Sequence, residues 1–192
     1  MVKKVKHLKQ FFYKNDDGNG GADKEAIKKM KPDEVVILLH SPKKARLWGC
    51  VKPLRLVDLI KKNRWIYEVI TKYPHKVYLD IDKKDSPENA GMPYLAKVKE
   101  ILNDYFPNAD YAVSGSITEN KTSFHLIINN YVIHNDEERH YVKMITKHLR
   151  LTADEGFDWT VYTKNRNMKA INQSKLDGRV QAIIETKIIK NI

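Results

Sequence analysis

Apolar positions along this chain follow two rhythms, and the change from one to the other marks out the elements it forms. Val35 to Leu39 is an unbroken β-branched and leucine run bounded by turn residues, and Arg46 to Val51 supplies a hairpin partner across Ser41-Pro-Lys-Lys44. Pro53 to Asn63 then sets Leu56, Leu59 and Ile60 at helical spacing, with the proline suited to a first turn. Trp65 to Ile70 and Lys76 to Asp82 read as two strands, expected to pair antiparallel across Thr71-Lys-Tyr-Pro-His75. Met92 to Tyr105 is amphipathic and helical, stopped by Phe106-Pro107. Tyr111 to Ser114 and Ser123 to Ile133 follow as strands around a polar loop, Gly115 to Lys121. Asp136 to Leu149 carries Tyr141, Met144, Ile145 and Leu149 in helical register. Gly156 to Tyr162, Met168 to Gln173 and Arg179 to Ile184 are the remaining extended candidates.

No internal repeat is present, and strands and helices alternate irregularly with hairpin-length loops. That order favours an α+β fold with antiparallel or mixed sheets over a regularly wound parallel sheet. The pattern also divides the chain. Residues 1–31 hold a basic, partly apolar segment, the breaker Asn15-Asp-Asp-Gly-Asn-Gly-Gly21 and a helical stretch near Ala22 to Met30, and are expected to be a peripheral helical and basic segment. Residues 32–187 are expected to form the main domain. The last five, 188–192, end in an unpunctuated apolar run, as expected of the front part of a longer protein.

Composition narrows the class. With 42% apolar and 9% aromatic residues over 192 positions, the chain can bury a core. Thirty-five Lys and Arg against 24 Asp and Glu leave a formal charge of +11, which points to a polyanionic partner, nucleic acid by default. Cys50 is the sole cysteine, so neither a disulfide framework nor a cysteine-rich zinc module is available, and a reducing, intracellular setting is expected. No apolar run approaches a membrane span and no signal-type leader is visible, so no membrane partner is expected.

Three clusters carry candidate chemistry. In Val77-Tyr-Leu-Asp-Ile-Asp82, a strand of large apolar residues acquires acids two positions apart, hence on one face and roughly 6.5–7 Å apart at Cα. Such a pair converges on hard cations, or simply caps a strand reaching solvent. In Lys121-Thr-Ser-Phe-His125, a base, a hydroxyl and an imidazole share one strand face and suit phosphate oxygens; a polar strand face turned to water is the plainer reading. A serine hydrolase is weaker, since nothing supplies a nucleophile elbow or an orienting acid. In Phe157-Asp158, an acid follows a large apolar residue and precedes Lys164, Arg166, Lys169 and Lys175, which read as phosphate contacts or as a solvated basic turn.

In this order and spacing the three clusters resemble the catalytic domain of the archaeo-eukaryotic primase superfamily, most closely the PrimPol branch shared by eukaryotes and large DNA viruses. Its motif I is an acid-x-acid pair, matched by Asp80 and Asp82; motif II is Ser-x-His, matched by Ser123 and His125; motif III is an apolar residue then Asp, matched by Asp158. Val161 to Lys169 with Ser174-Lys175 resembles the run after motif III, and Tyr67-Glu-Val-Ile70 also fits, so the resemblance spans Val35 to Ile184. Two departures stand out. Asp82 occupies a position that is often Glu, and Met168-Lys169 replaces an aromatic followed by Arg, which loses bidentate phosphate recognition.

The resemblance implies a primase-polymerase core, an α/β unit joined to an RRM-like unit with the active site in the cleft between them. It implies nucleotidyl transfer from dNTPs or NTPs on a single-stranded DNA template and primer. Asp80, Asp82 and Asp158 would hold two Mg²⁺ or Mn²⁺ ions. Lys121, Ser123, His125, Arg166, Lys169 and Lys175 would bind the nucleotide, with His125, Arg166 and Lys175 foremost. Lys43, Lys44, Arg46, Lys72 and Lys76 are candidates by position for the DNA surface. The setting expected is wherever DNA is replicated, whether nucleus, mitochondrion or viral factory. Any helicase or zinc-binding module that priming requires would lie outside this stretch. Two alternatives remain: a non-catalytic, basic single-strand-binding replication module, and a two-metal nuclease.

Overall fold

The computed structural model describes residues 2–7, 10–15, 21–40, 46–62, 65–71, 74–84, 87–153, 156–170, 173, 180 and 182–185. Its elements in chain order are β1 (Val2–His7), β2 (Gln10–Asn15), α1 (Ala22–Lys29), β3 (Val35–His40), β4 (Arg46–Val51), α2 (Pro53–Lys62), β5 (Ile66–Ile70) and β6 (His75–Lys84). Then follow α3 (Gly91–Asn103), β7 (Tyr111–Thr118), β8 (Lys121–Ile133), α4 (Asp136–Ala153), β9 (Arg166–Lys169) and β10 (Ala182–Glu185), with short 3-10 turns at Glu88–Ala90 and Trp159–Tyr162. The class is α+β, with two sheets whose strand pairings are all antiparallel among the described residues. The chain divides into two units, one of Met1–Thr71 with Lys164–Arg179, the other of Lys72–Thr163 with Val180–Ile192.

The first unit holds the sheet β1-β2-β4-β3-β5-β9. The unbroken apolar run of β3 is explained by burial on both faces. Ile37 and Leu39 face one core with Leu47, Val51, Ile66 and Leu59 of α2; Val36 and Leu38 face the other with Trp48, Val69 and Ala22 and Ala26 of α1. Residues set apart by sequence as peripheral are thus structural here. β2 pairs with β4 through Tyr13↔Trp48 and Lys14↔Leu47, and β1 with β2, so the N-terminal stretch is a hairpin extending the sheet rather than a helical appendage. The two alanines of α1, both fully buried, let the helix lie close on the strands. Cys50 belongs to the same packing: its thiol donates to the Ala26 carbonyl at 3.0 Å, and burial pushes its pKa up to about 11, far from a reactive thiolate.

The second unit holds the sheet β10-β7-β8-β6. Val77, Leu79 and Ile81 of β6 and Phe124, Leu126 and Ile128 of β8 are buried and line up across the strands. They form the face on which α3 lies, with Tyr94 stacked 6.3 Å from Phe124. The opposite face carries Tyr78, Asp80 and Asp82 on β6 and Ser123, His125 and Ile127 on β8.

One expected pairing does not form. β5 and β6 are not a hairpin: β5 is flanked by β3 and β9, so both its edges are taken, and β6 pairs with β8. Apolar residues on both faces suit β5 to a sheet interior, whereas β6 is apolar on one face and polar on the other. The polar loop expected at Gly115 to Lys121 is mostly strand as well, since β7 and β8 remain in register up to Thr118↔Lys121.

Glu68 gives the first unit a pH signature. It lies on β5 opposite Ile37 and Met168, and burial alone raises its pKa above the usual carboxylate value. A folded pKa above the unfolded one means that the folded state holds the proton longer, so stability declines as pH rises through that interval. Glu68→Gln is therefore expected to raise the urea midpoint at neutral pH and to lose that advantage in acid below the unfolded carboxylate pKa. Urea titrations of both proteins across pH check this, and a midpoint difference constant with pH would contradict it.

Candidate active site

β6 and β8 bring the first two acid and base clusters face to face. In their register Asp80 lies opposite His125 and Asp82 opposite Ser123, with Lys84 opposite Lys121. Since residues directly opposed on an antiparallel pair share a face, motifs 39 to 45 residues apart in sequence become neighbours. The Asp80 carboxylate is 3.5 Å from His125 Nε2, and the Asp82 carboxylate accepts from Lys121 Nζ at 2.7 Å. Exposure is graded: the Asp82 side chain is 41% accessible, Lys121 24%, Asp80 19% and His125 12%. Ser123 is buried beneath them.

The third acid arrives along the other edge of β6. Phe157 forms an isolated antiparallel bridge with Ile81, closed by the Asp158 N–H to the Asp80 carbonyl at 2.8 Å and the Asp82 N–H to the Gly156 carbonyl at 2.9 Å. That register sends the Phe157 ring into the core and sets Asp158 beside Asp80 on the polar face. Asp158 is also the cap of the following 3-10 turn, where its carboxylate accepts from Thr160 N at 2.9 Å and Thr160 Oγ1 at 2.5 Å. Below the acids the same face is closed by Tyr162, stacked on Tyr78 at 5.0 Å. The Tyr78 hydroxyl donates to the Val161 carbonyl at 3.0 Å, and the Tyr162 hydroxyl donates to the Tyr78 carbonyl. Complete burial pushes the Tyr162 pKa well up.

Asp80, Asp82, Asp158, Lys121, Ser123 and His125 thus share one polar face within the second unit. The three carboxylates have Lys121, His125 and Thr160 as neighbours, and among the described residues no group of three or more His, Cys, Asp or Glu is already arranged to hold a metal ion. The donor chemistry nonetheless suits a hard divalent cation, for the three acids offer only carboxylate oxygens. The Lys121–Asp82 pair is partly exposed, and such pairs stabilise by about 1 kcal/mol or less, so exchanging the ammonium for a divalent ion costs little.

The remaining described candidates lie on other elements or at the other end of β6. Arg166 and Lys169 belong to the first unit, on β9, and three positions apart they face opposite sides of the sheet: Arg166 is opposite Ile70, and Lys169 opposite Tyr67. Expectation had grouped them as one phosphate-contacting set. Lys169 is buried with its ammonium 5.0 Å from the Tyr67 ring centroid. His40 is 5.2 Å from the same ring and opposite Arg46, so Arg46 and Lys169 meet around His40; desolvation first, then both cations, lowers the His40 pKa. Lys76 is exposed at the far end of β6 and donates to the Asn129 carbonyl. Lys43, Lys44, Lys72 and Lys175 lie outside the described residues.

Four contributors are not singled out by sequence reasoning. Ser114 and Ser116 of β7 lie opposite His125 and Ser123 and extend the hydroxyl face; Ser114 closes the expected strand, whereas Ser116 falls in the expected loop. Thr160 orients Asp158, two residues beyond the motif. Gly156 has φ +74°, and a Cβ there would meet the Asp82 carbonyl oxygen at 2.5 Å, so only glycine lets this segment approach β6.

No protein-family model matches the chain, and no curated protein matches it significantly. Among the described residues no helix is long and apolar enough to cross a membrane.

Gly156→Ala is expected to destabilise the second unit by about 1–3 kcal/mol, the cost of a non-glycine residue in a strained left-handed conformation. Every carboxylate stays in place in this variant, and chemical unfolding of the variant beside the wild type checks the expected loss.

Proposed function

We propose that this chain is the catalytic core of a DNA-directed primase-polymerase. It would transfer nucleotides from dNTPs or NTPs to a primer or first nucleotide on a single-stranded DNA template, where DNA is replicated in the cell. The observation that carries this reading is the alignment of Asp158 with Asp80 and Asp82 along both edges of one strand, opposite Lys121, Ser123 and His125. Three carboxylates facing a hydroxyl, an imidazole and an ammonium are the complement of a metal-bound triphosphate. The sequence resemblance and the charge of +11 support the same reading.

In this mechanism Asp80, Asp82 and Asp158 hold two Mg²⁺ or Mn²⁺ ions. When bound, the ions supply charge neutralisation at the α-phosphoryl group and lower the pKa of the attacking 3′-hydroxyl. His125 and Lys121 donate to phosphate oxygens, and the buried Ser123 hydroxyl lies at the floor of the same face. Asp158 is held in place by Thr160, so little reorganisation accompanies substrate entry. Arg166, Lys169 and Lys175 stay in the proposal as cations of the run after Asp158. A catalytic domain over residues 32–187 and an accessory module beyond this stretch belong to the same proposal.

One observation favours a non-catalytic strand-binding module instead: Asp80 and Asp82 already have His125 and Lys121 as partners, an arrangement that is stable in itself. The assay that separates the readings uses the purified chain with primed and unprimed single-stranded templates, dNTPs or NTPs, and Mg²⁺ or Mn²⁺. Nucleotide-dependent lengthening is expected, and Asp80→Ala and Asp158→Ala should each reduce it by about a thousandfold, several kcal/mol of transition-state stabilisation. Unimpaired incorporation by Asp80→Ala would refute the assignment, and template degradation without nucleotides would identify a nuclease.

A further inference from the structure

Directly after Asp158 the chain forms the 3-10 turn Trp159–Tyr162, which packs against α4. From α4, Lys143 and Lys147 both extend over the Trp159 indole, with ammonium-to-centroid distances of 5.2 and 5.6 Å. These lysines are one helical turn apart, where like charges repel. The indole's negative face gathers them, yet it neutralises neither. Arg150, exposed and three residues past Lys147, continues the stripe to the basic end of the helix. Asp136, at the other end, is paired with Arg139 at 2.7 Å. Among the described residues no carboxylate pairs with Lys143, Lys147 or Arg150, and the three cations run along about 10 Å of helix, at 1.5 Å per residue.

Charge convergence over an aromatic ring, beginning one residue from a candidate catalytic acid, calls for an anionic ligand. A repeating phosphate fits a linear stripe better than a compact anion does. We propose that Trp159, Lys143, Lys147 and Arg150 form a phosphodiester track for single-stranded DNA leading to the acid cluster. This inference rests on the nucleic-acid reading above and adds a strand path to it. Lys143, Lys147 and Arg150 contact successive backbone phosphates, and Trp159 holds the first two cations in place beside the strand.

The test measures binding of a fluorescein-labelled oligo(dT) to the whole chain by anisotropy, across a series of potassium chloride concentrations, with tryptophan fluorescence recorded in parallel. Lys143→Gln/Lys147→Gln should weaken binding about tenfold at fixed salt. It should also lower the slope of log K against log salt by about 1.4, two phosphate contacts at roughly 0.7 each. Lys143→Arg/Lys147→Arg should retain both affinity and slope, which separates loss of charge from loss of fold. Trp159→Phe should keep most of the affinity and abolish the binding-induced quench. Unchanged affinity and slope in the glutamine variant, or absence of any oligonucleotide binding by the folded wild type, overturns the track. A quench that survives Trp159→Phe overturns the part assigned to the indole. Primer extension assays on the same proteins keep the two readings distinct. Extension by the wild type with an unchanged slope in the glutamine variant removes the track alone. Lysine-dependent binding without extension upholds the track and removes the polymerase.

Discussion

The candidate site depends on the outer edge of β6. Two backbone hydrogen bonds, from Asp158 N–H to the Asp80 carbonyl and from Asp82 N–H to the Gly156 carbonyl, fix a three-residue segment against that edge. Side chains on paired strands alternate with a period of two, so a slip of one residue would send Asp158 to the α3 face and bring the Phe157 ring out onto the polar one. Burial of Phe157 against the core and the close approach allowed by Gly156 oppose that slip. The acid is therefore positioned by its apolar and glycine neighbours, and its own charge has little part in the choice of register.

The same rule explains how much of the site could be read from the residues. Which side chains share a face within one strand follows from spacing alone, so Asp80 with Asp82, and Lys121 with Ser123 and His125, were legible. That these two faces oppose one another depends on the β6–β8 register, which a long hairpin through β7 establishes and no local pattern encodes. Asp158 was found by resemblance rather than by periodicity, because a lone bridge leaves no alternating signature. The expected β5–β6 hairpin failed for a related reason. Short range favours it, but β5 is apolar on both faces and satisfies two neighbours within the first unit. Arg166 and Lys169 show what a charge run leaves out: an odd separation puts the two cations on opposite faces of β9.

Electrostatics make the cluster tolerable without a bound cation. Neighbouring carboxylates repel, and here β8 supplies the Lys121 ammonium to Asp82 and sets the His125 imidazole beside Asp80, while hydroxyl and amide donors of Thr160 serve Asp158. The compensating groups are also the right donors for phosphate oxygens. On the proposed reading, a divalent ion entering at the acids would release Lys121 and His125 toward the same ligand. Exposure is graded across the cluster, from Asp82 at the rim to Ser123 at the floor.

The segment bearing Asp158 is anchored at both ends. At one end Asp158 is bonded to β6 through its backbone and caps its own turn; at the other, Tyr162 is stacked on Tyr78, and each hydroxyl bonds to a main-chain carbonyl of the other segment. Both anchors rest on β6, only two residues apart at Tyr78 and Asp80. Arg139 donates from α4 to the Tyr162 carbonyl, and Lys143 and Lys147 reach Trp159, so the helix is tied to the same turn. A side chain held by a cap, a bridge and a ring clasp has few alternative positions, and a carboxylate so restricted meets an incoming charge without first reorganising. Preorganisation of the third acid is thus built into the second unit, which contains all three acids and the cap, bridge and ring contacts described above.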